Sequence, residues 1–315
     1  MTGSPRIVLA GSVGSSRRTL QALTRHNSDV VGVLGLAVED SQNVSGYERL
    51  DVIARAAGIP YRDFQKINDP AVLSTVRAWK PDLLFVVGLS QMVKPELLAV
   101  PSKAAVGFHP TMLPENRGRA PIAWLILETV GGKTRTGAAT FFVMEKEPDS
   151  GPILAQVPFN VTPHDYAADV YRKMESAIDA ALDQWLPRLI AGEWDPKPQD
   201  DSRATYRGAR RPEDGLIDWT CSADEIHALV RAASRPHPGA YTFVEGKKLI
   251  IWCAEKEAPV KGDATPGVIV SHEPAGFRVQ AGGGSIVLTE IEQPADAGKA
   301  SSPVLRVGVL LVVER

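Results

Sequence analysis

Cysteine is scarce: Cys221 and Cys253 are the only two in 315 residues. That is too few for a disulfide scaffold, and their separation lacks the paired spacing of a zinc site. A reducing cytosol suits such a chain, with both thiols packed as small apolar groups. An excess of one charge is also missing, since 35 Lys+Arg against 37 Asp+Glu give a formal net charge of -2. No global basic field exists to hold DNA, tRNA or an anionic membrane, so nucleic-acid binding would need a local patch. Long apolar runs are absent too. Ile7-Val8-Leu9-Ala10 is far short of a signal sequence or of the ~20 residues that cross a bilayer. The expectation is a soluble cytoplasmic protein without a membrane partner. Finally, Gly11-Ser12-Val13-Gly14-Ser15-Ser16 lacks the G-x-G-x-x-G spacing that lets a backbone approach a pyrophosphate, and reads as a tight strand-to-helix turn.

What is present divides into two parts, as a length prior of ~150 residues per domain suggests. Ile7–Ala10, a helical pattern through Leu20, Leu23 and His26, and the apolar run Val30–Leu36 read as β-α-β. Asp51–Ala57 and Pro70–Trp79 read as helices, and Pro81–Val87 as a strand buried on both faces. The fold class is therefore α/β, with a Rossmann-like, doubly wound parallel sheet. Thr162, Pro163 and Asp165 look like the capped start of an amphipathic helix that runs through Val170, Met174, Ile178, Leu182 and Trp185. From Pro187 the chain turns polar and proline-rich, which is linker composition. Residues 1–204, including a linker at 187–204, are read as the first domain and 205–315 as the second. In the latter, Ser222 and Glu225 form a capping box. Short strands follow at Tyr241–Val244, Leu249–Cys253, Gly267–Ser271, Phe277–Gln280 and Ser285–Glu290, the spacing of a small OB-like β-barrel.

The chemistry concentrates in Val106-Gly107-Phe108-His109-Pro110-Thr111-Met112-Leu113-Pro114-Glu115-Asn116-Arg117-Gly118-Arg119-Ala120-Pro121-Ile122. His109 leaves the short strand Ala104–Phe108 and enters a proline-stiffened loop, so it stands at the carboxyl end of the sheet, where open α/β folds bind ligands. Downstream, Asp149-Ser150-Gly151-Pro152-Ile153 forms a turn between two strands, and topology allows Asp149 to reach His109. Such a pair supplies what acyl transfer needs: a donor for a developing oxyanion and a carboxylate that can take a proton. His164, His227, His237 and His272 show no ligand spacing, and no metal is expected.

The histidine segment resembles the H-x-S-L-L-P-x-x-R-G-x-x-P-I signature of the folate-dependent formyltransferases, and Asp149-Ser150-Gly151-Pro152-Ile153 resembles their D-x-G-x-I. Arg210–Trp219, Ile226–Ala232 and Pro236–Ala240 are similar to the C-terminal domain of methionyl-tRNA formyltransferases and of sugar-nucleotide N-formyltransferases. The resemblance implies transfer of a formyl group from 10-formyltetrahydrofolate to an amine, with His109 stabilising the tetrahedral oxygen and Asp149 orienting it and handling the amine proton. It also implies that the pterin is held through backbone groups, here Ser90, Gln91 and Met92 and the loop with Val143, Met144, Glu145 and Glu147. Thr111, Arg117, Gly118 and Arg119 become candidate contacts to the acceptor, the arginines reading either as phosphate ligands or as ion pairs that fix the loop.

One departure matters. The family pattern N-x-H has glycine here, Gly107, so the chain lacks the side-chain amide that would give the oxyanion a second hydrogen bond. Losing such a donor typically costs ~3–4 kcal/mol of transition-state stabilisation. Ser90, Gln91 and Thr111 are candidate substitutes, and Gly107→Asn is expected to give little gain. The acceptor expected is a small amine, an amino sugar nucleotide foremost. A tRNA acceptor is disfavoured because Ala37–Leu50, where the tRNA enzymes carry a basic loop, is mildly acidic, and residues 207–315 are near charge parity. Hydrolysis of the formyl donor and a non-catalytic folate or nucleotide sensor are the alternatives. A homodimer is compatible with the sequence.

Overall fold

The computed structural model describes residues 4–42, 44–257, 264–294 and 305–312. The chain divides into two compact units. The first comprises Met1–Pro121, Thr136–Phe159 and Arg172–Arg207; the second comprises Ile122–Arg135, Asn160–Tyr171 and Gly208–Arg315.

In chain order the first part runs β1 (Arg6–Gly11), α1 (Gly14–Arg25), β2 (Asp29–Leu36), α2 (Leu50–Ala56), β3 (Tyr61–Phe64), α3 (Pro70–Trp79), β4 (Leu83–Val87), α4 (Pro95–Leu98) and β5 (Ala104–His109). Next come β6 (Arg117–Gly118), α5 (Pro121–Leu127), β7 (Arg135–Val143), β8 (Ile153–Val161), α6 (Ala167–Ile190) and β9 (Tyr206–Arg207). Seven strands form one sheet in the order β3-β2-β1-β4-β5-β7-β8. The first five are parallel, the doubly wound arrangement expected, but β7 runs antiparallel to β5. The connection from β5 to β7, residues 110–134, is long enough for a crossover, but its helix, α5, has only seven residues, and β7 returns along β5 in the opposite direction.

Alternation along the strands sorts the two faces. Val8, Ala10, Leu34, Leu36, Leu84 and Ala105 meet Val72 and Val76 of α3 and Leu97 of α4. On the other face Phe85 and Phe141 pack against Trp185 of α6, with ring centroids 5.8 and 6.2 Å apart. Arg18 and Arg25 of α1 pair with Asp179 and Asp183 along α6. At the β1 turn a single hydroxyl organises the backbone. Ser16 Oγ accepts from the amides of Ser12 (3.0 Å) and Val13 (3.2 Å) and donates to Val87 O (2.6 Å), so these two loop amides are partnered within the turn.

Two local expectations are corrected. The helix placed at Thr162 begins at Ala167, because Thr162 N–H donates to Asp165 Oδ2 (2.6 Å) in a separate turn and the helix is capped instead where Tyr166 N–H donates to Asp169 Oδ2 (2.9 Å). The segment read as a linker is ordered: Pro187 to Ile190 complete α6, Lys197 bridges Ile153, and β9 pairs with β6. Its prolines, Pro196 and Pro198, flank Lys197, whose own N–H and carbonyl make the bridge; neighbouring positions of an extended chain point away from the partner, so proline there costs the pairing no bond.

The second unit contains α7 (Ala223–Ala233), β10 (Ala240–Val244), β11 (Lys247–Glu257), β12 (Ile269–Glu273), β13 (Gly276–Gln280) and β14 (Ser285–Glu292). Ser222 Oγ and Glu225 form the capping box that starts α7. The strands form an antiparallel sheet in the order β10-β11-β14-β13-β12. Ile226 and Val230 of α7 pack with Leu249, Ile251, Ile286 and Leu288, and Trp219 completes that core. Val312 bridges Phe243 of β10 and Leu310 bridges Val268 beside β12, which covers both outer strands.

Candidate active site

β5 delivers His109 as its last residue, and the strand's pleat puts Gly107 and His109 on one face. The imidazole is buried, with only 5% of the residue exposed. Its Nε2 lies 2.8 Å from Asn116 O and its Nδ1 3.7 Å from Asp149 Oδ2. The second separation is beyond a direct hydrogen bond but within ion-pair range, and catalytic contacts commonly tighten only once substrate binds. The Asp149 carboxylate is better exposed than the imidazole and accepts the Gly118 N–H at 2.8 Å. The expected meeting of His109 and Asp149 is thus realised across 40 residues of sequence.

Strain collects here. Asn116 (φ 58°), Ala120 (φ 52°) and Asp149 (φ 58°) all occupy the left-handed region, which costs roughly 1–3 kcal/mol for a non-glycine residue and persists only where the surroundings enforce it. Gly118, at φ 110°, has no alternative: a Cβ would lie 2.3 Å from Arg207 O.

Gly107 pairs directly with Phe142 across the β5–β7 ladder. A Cβ at Gly107 would come 2.7 Å from Phe142 Cζ and 3.0 Å from Met144 Cγ. The space beside Gly107 is occupied by an aromatic ring and a thioether, so a larger residue there would require both to shift.

The remaining candidates separate by what their polar atoms already do. Arg117 is 2% exposed. Its Nη2 donates to Asp201 Oδ1 (2.6 Å) and Gln199 Oε1 (2.9 Å), and its Nη1 to Tyr206 Oη (3.0 Å). Burial opposes its charge, but the bonds to Asp201 and Tyr206 outweigh that and hold its pKa above the ordinary arginine value. Thr111 is 1% exposed, donates its hydroxyl to Glu115 O (2.8 Å) and receives Thr140 Oγ1 on its carbonyl. Both therefore fix the histidine loop instead of facing an acceptor. Gln91 is engaged as well, accepting from Ile67 N (2.8 Å) and donating to Gln65 O (2.8 Å), which ties both ends of its amide to the segment that follows β3. Ser90 and Arg119 are exposed, and Met92 is 79% exposed. Met144 packs partly on the apolar layer, with Glu145 and Glu147 exposed beyond it.

Gln199 went unseen in the sequence. Its Nε2 donates to Asp149 O (2.8 Å) and Gly151 O (2.7 Å), while its Oε1 accepts from Arg117. A glutamine inside a proline-rich polar stretch carries no local signal for such a role.

A family model described as formyl transferase matches residues 6–186, more than half the chain, and the formyl transferase C-terminal domain matches residues 210–302. The chain belongs to the formyl transferase family. Solved structures share the fold at low identity. HypX from Aquifex aeolicus in complex with tetrahydrofolic acid is 19% identical over 92% of this chain, at a TM-score of 0.66, but the match spans only 44% of that longer protein. The N-formyltransferase from Helicobacter canadensis, in complex with folinic acid and dTDP-3-aminofucose, is 16% identical over 90% of this chain and 98% of its own, at a TM-score of 0.64. Methionyl-tRNA formyltransferase from Clostridium thermocellum is 16% identical over 80% of this chain and 94% of its own, at a TM-score of 0.55. Within the formyltransferase family, the histidine and aspartate loops of this chain both lie in the N-terminal match, and residues 187–209 fall between the two matched segments.

Proposed function

We propose that this formyltransferase moves a formyl group from 10-formyltetrahydrofolate to the primary amine of a small acceptor, an amino sugar nucleotide foremost. The observation that carries the reading is the approach of His109 and Asp149 in a strained, buried setting inside the N-terminal family match. The residues fit a folate. The exposed Met92 offers apolar surface for a flat ring to cover, and the chain at Ser90 to Met92 and at Val143 to Glu147 offers backbone groups to a pterin. When bound, the folate supplies the carbonyl carbon that the amine attacks. Asp149 is the more exposed partner, so the amine enters from its side, and the carboxylate oxygen not held by Gly118 takes the proton released on attack. His109 keeps its Nε2–H on Asn116 O and, carrying a proton on Nδ1 as well, donates from that nitrogen to the oxygen on which charge develops. Arg119, exposed on β6's exit, suits a phosphate on the acceptor.

Hydrolysis of the donor is the second reading: Asp149 is the more exposed partner, so water can reach it in place of an amine. The purified chain incubated with 10-formyltetrahydrofolate, with and without a panel of amino sugar nucleotides, separates the two. Tetrahydrofolate release accelerated by one amine supports transfer; release that no amine accelerates supports hydrolysis. Absence of folate binding defeats both.

A further inference from the structure

We infer that Gln199 is a positioning residue for Asp149, and that the post-helix segment 195–207 is a strap that sets the distance between the two reacting side chains. This rests on the formyl-transfer reading for its consequence in rate, though not for its consequence in structure.

The two loops that carry His109 and Asp149 are stitched from the same side by one stretch of chain. Lys197 pairs with Ile153 just after the aspartate loop, Asp201 holds Arg117 in the histidine loop, and Tyr206–Arg207 pairs with Arg117–Gly118. Arg203 adds an ion pair to Glu115. Gln199 sits between these anchors and touches both loops at once. Its carbonyl oxygen is taken by Arg117, and its two N–H donors go to the carbonyls of Asp149 and Gly151.

Asp149 stands at φ 58°, in the left-handed region, which aspartate visits more readily than most residues but which is still less stable than the negative-φ regions. Two constraints hold it: the Gly118 amide on its carboxylate and the Gln199 amide on its carbonyl. Releasing the carbonyl lets the backbone relax toward the ordinary negative-φ region, which swings the carboxylate away from Gly118 and from His109. The clamp lies within residues 187–209, between the two family-matched segments.

Gln199→Glu tests it cleanly. A carboxylate keeps an acceptor for Arg117 but puts an oxygen where the amide nitrogen stood, so both bonds to the aspartate loop, to Asp149 O and Gly151 O, are lost while the arm to Arg117 stays. The expected result is a kcat lowered about 10- to 100-fold with KM for 10-formyltetrahydrofolate within about twofold and Tm near that of the unaltered chain. Asp149→Asn and the double variant Asp149→Asn/Gln199→Glu should be equally slow, since a clamp on an absent carboxylate has nothing left to position. Amide exchange gives a readout that needs no turnover: the Gly118 N–H should exchange at least about tenfold faster in Gln199→Glu, while the Met144 N–H, bonded to Ala105 O, keeps its rate. Unchanged Gly118 exchange overturns the inference whatever the activity. Inactivity of the unaltered chain toward every formyl donor defeats the functional reading and leaves the exchange result to decide this one. An additive loss of rate in the double variant, with kcat and KM both changed, assigns Gln199 a general structural role and also overturns it.

Discussion

Each compact unit buries a histidine to nearly the same depth, 5% exposed for His109 and 8% for His227, but sets a different balance of charge around it. His109 faces a carboxylate and a backbone carbonyl. His227, on α7, has the cationic Arg231 and Lys256 near it as well as Asp224 and the Ala254 backbone; burial first and the two cations next push its pKa down to about 4 against the weaker pull of Asp224 and Ala254, so it is neutral. The buried arginines repeat the contrast. Arg117 in the first unit ends on the Asp201 carboxylate, whereas Arg231 in the second gives its Nη1 to Asp165 O and its Nη2 to Thr129 Oγ1. Strain follows the same division. Five of the six non-glycine left-handed residues described fall in the first unit, three of them around His109; the sixth, Glu245, turns a hairpin. Burial alone does not mark a reacting centre. Burial combined with paired opposite charges and enforced backbone does, because that combination fixes charge where water would otherwise screen it.

The comparison breaks most visibly if the two histidines can be exchanged in importance. His109→Ala should lower formyl release about 10³-fold, as loss of an acid–base or oxyanion partner generally does, while His227→Leu should leave it within about twofold. Comparable losses in both variants would end the distinction. The next effect concerns the space beside His109. Gly107→Asn forces Phe142 and Met144 to move, so it should destabilise the fold by about 1–3 kcal/mol, read as a lower Tm, without raising kcat. A large gain in rate at unchanged Tm would show the asparagine to be merely missing from a site still shaped for it. The smallest effect belongs to the second unit. His227 has a folded pKa of about 4, below its unfolded value near 6.5, so the unfolded chain takes up more protons as pH falls. The contribution is fully present above pH 6.5 and is lost progressively toward pH 4, amounting to about 1 kcal/mol at pH 5.5. Thermal unfolding at pH 7.5 and 5.5 should show the drop in the unaltered chain and a smaller one in His227→Leu. Equal drops would assign the acid sensitivity elsewhere.

How much of this was legible in the sequence depended on how local the signal was. α3 was readable at both ends because Pro70 opens it and Pro81 follows its last turn. The strands of the second unit were readable from alternation, and His109 and Asp149 from two motifs joined by topology. The antiparallel β7 was not, because a strand's direction is set by the connection, not by its own residues. Arg117 left two readings open, and only its burial against Gln199 and Asp201 decided for the loop-fixing one. Gln199 was invisible because its partners lie 82 and 50 residues away and its neighbours, Pro196 and Pro198, carry the composition of a spacer. Phe142 and Met144 looked like ordinary strand residues until the β5–β7 register set them against Gly107.

The central claim is that Asp149 beside His109 performs formyl transfer to an amine. Single-turnover release of tetrahydrofolate from 10-formyltetrahydrofolate, with and without an amino sugar nucleotide, compared between the unaltered chain and Asp149→Asn, tests it most directly. The account predicts release accelerated by the amine in the unaltered chain and slowed about 10²-fold or more in the variant, with folate still bound by both. Amine-accelerated release of equal rate in the two proteins, or no folate binding by either, would contradict it.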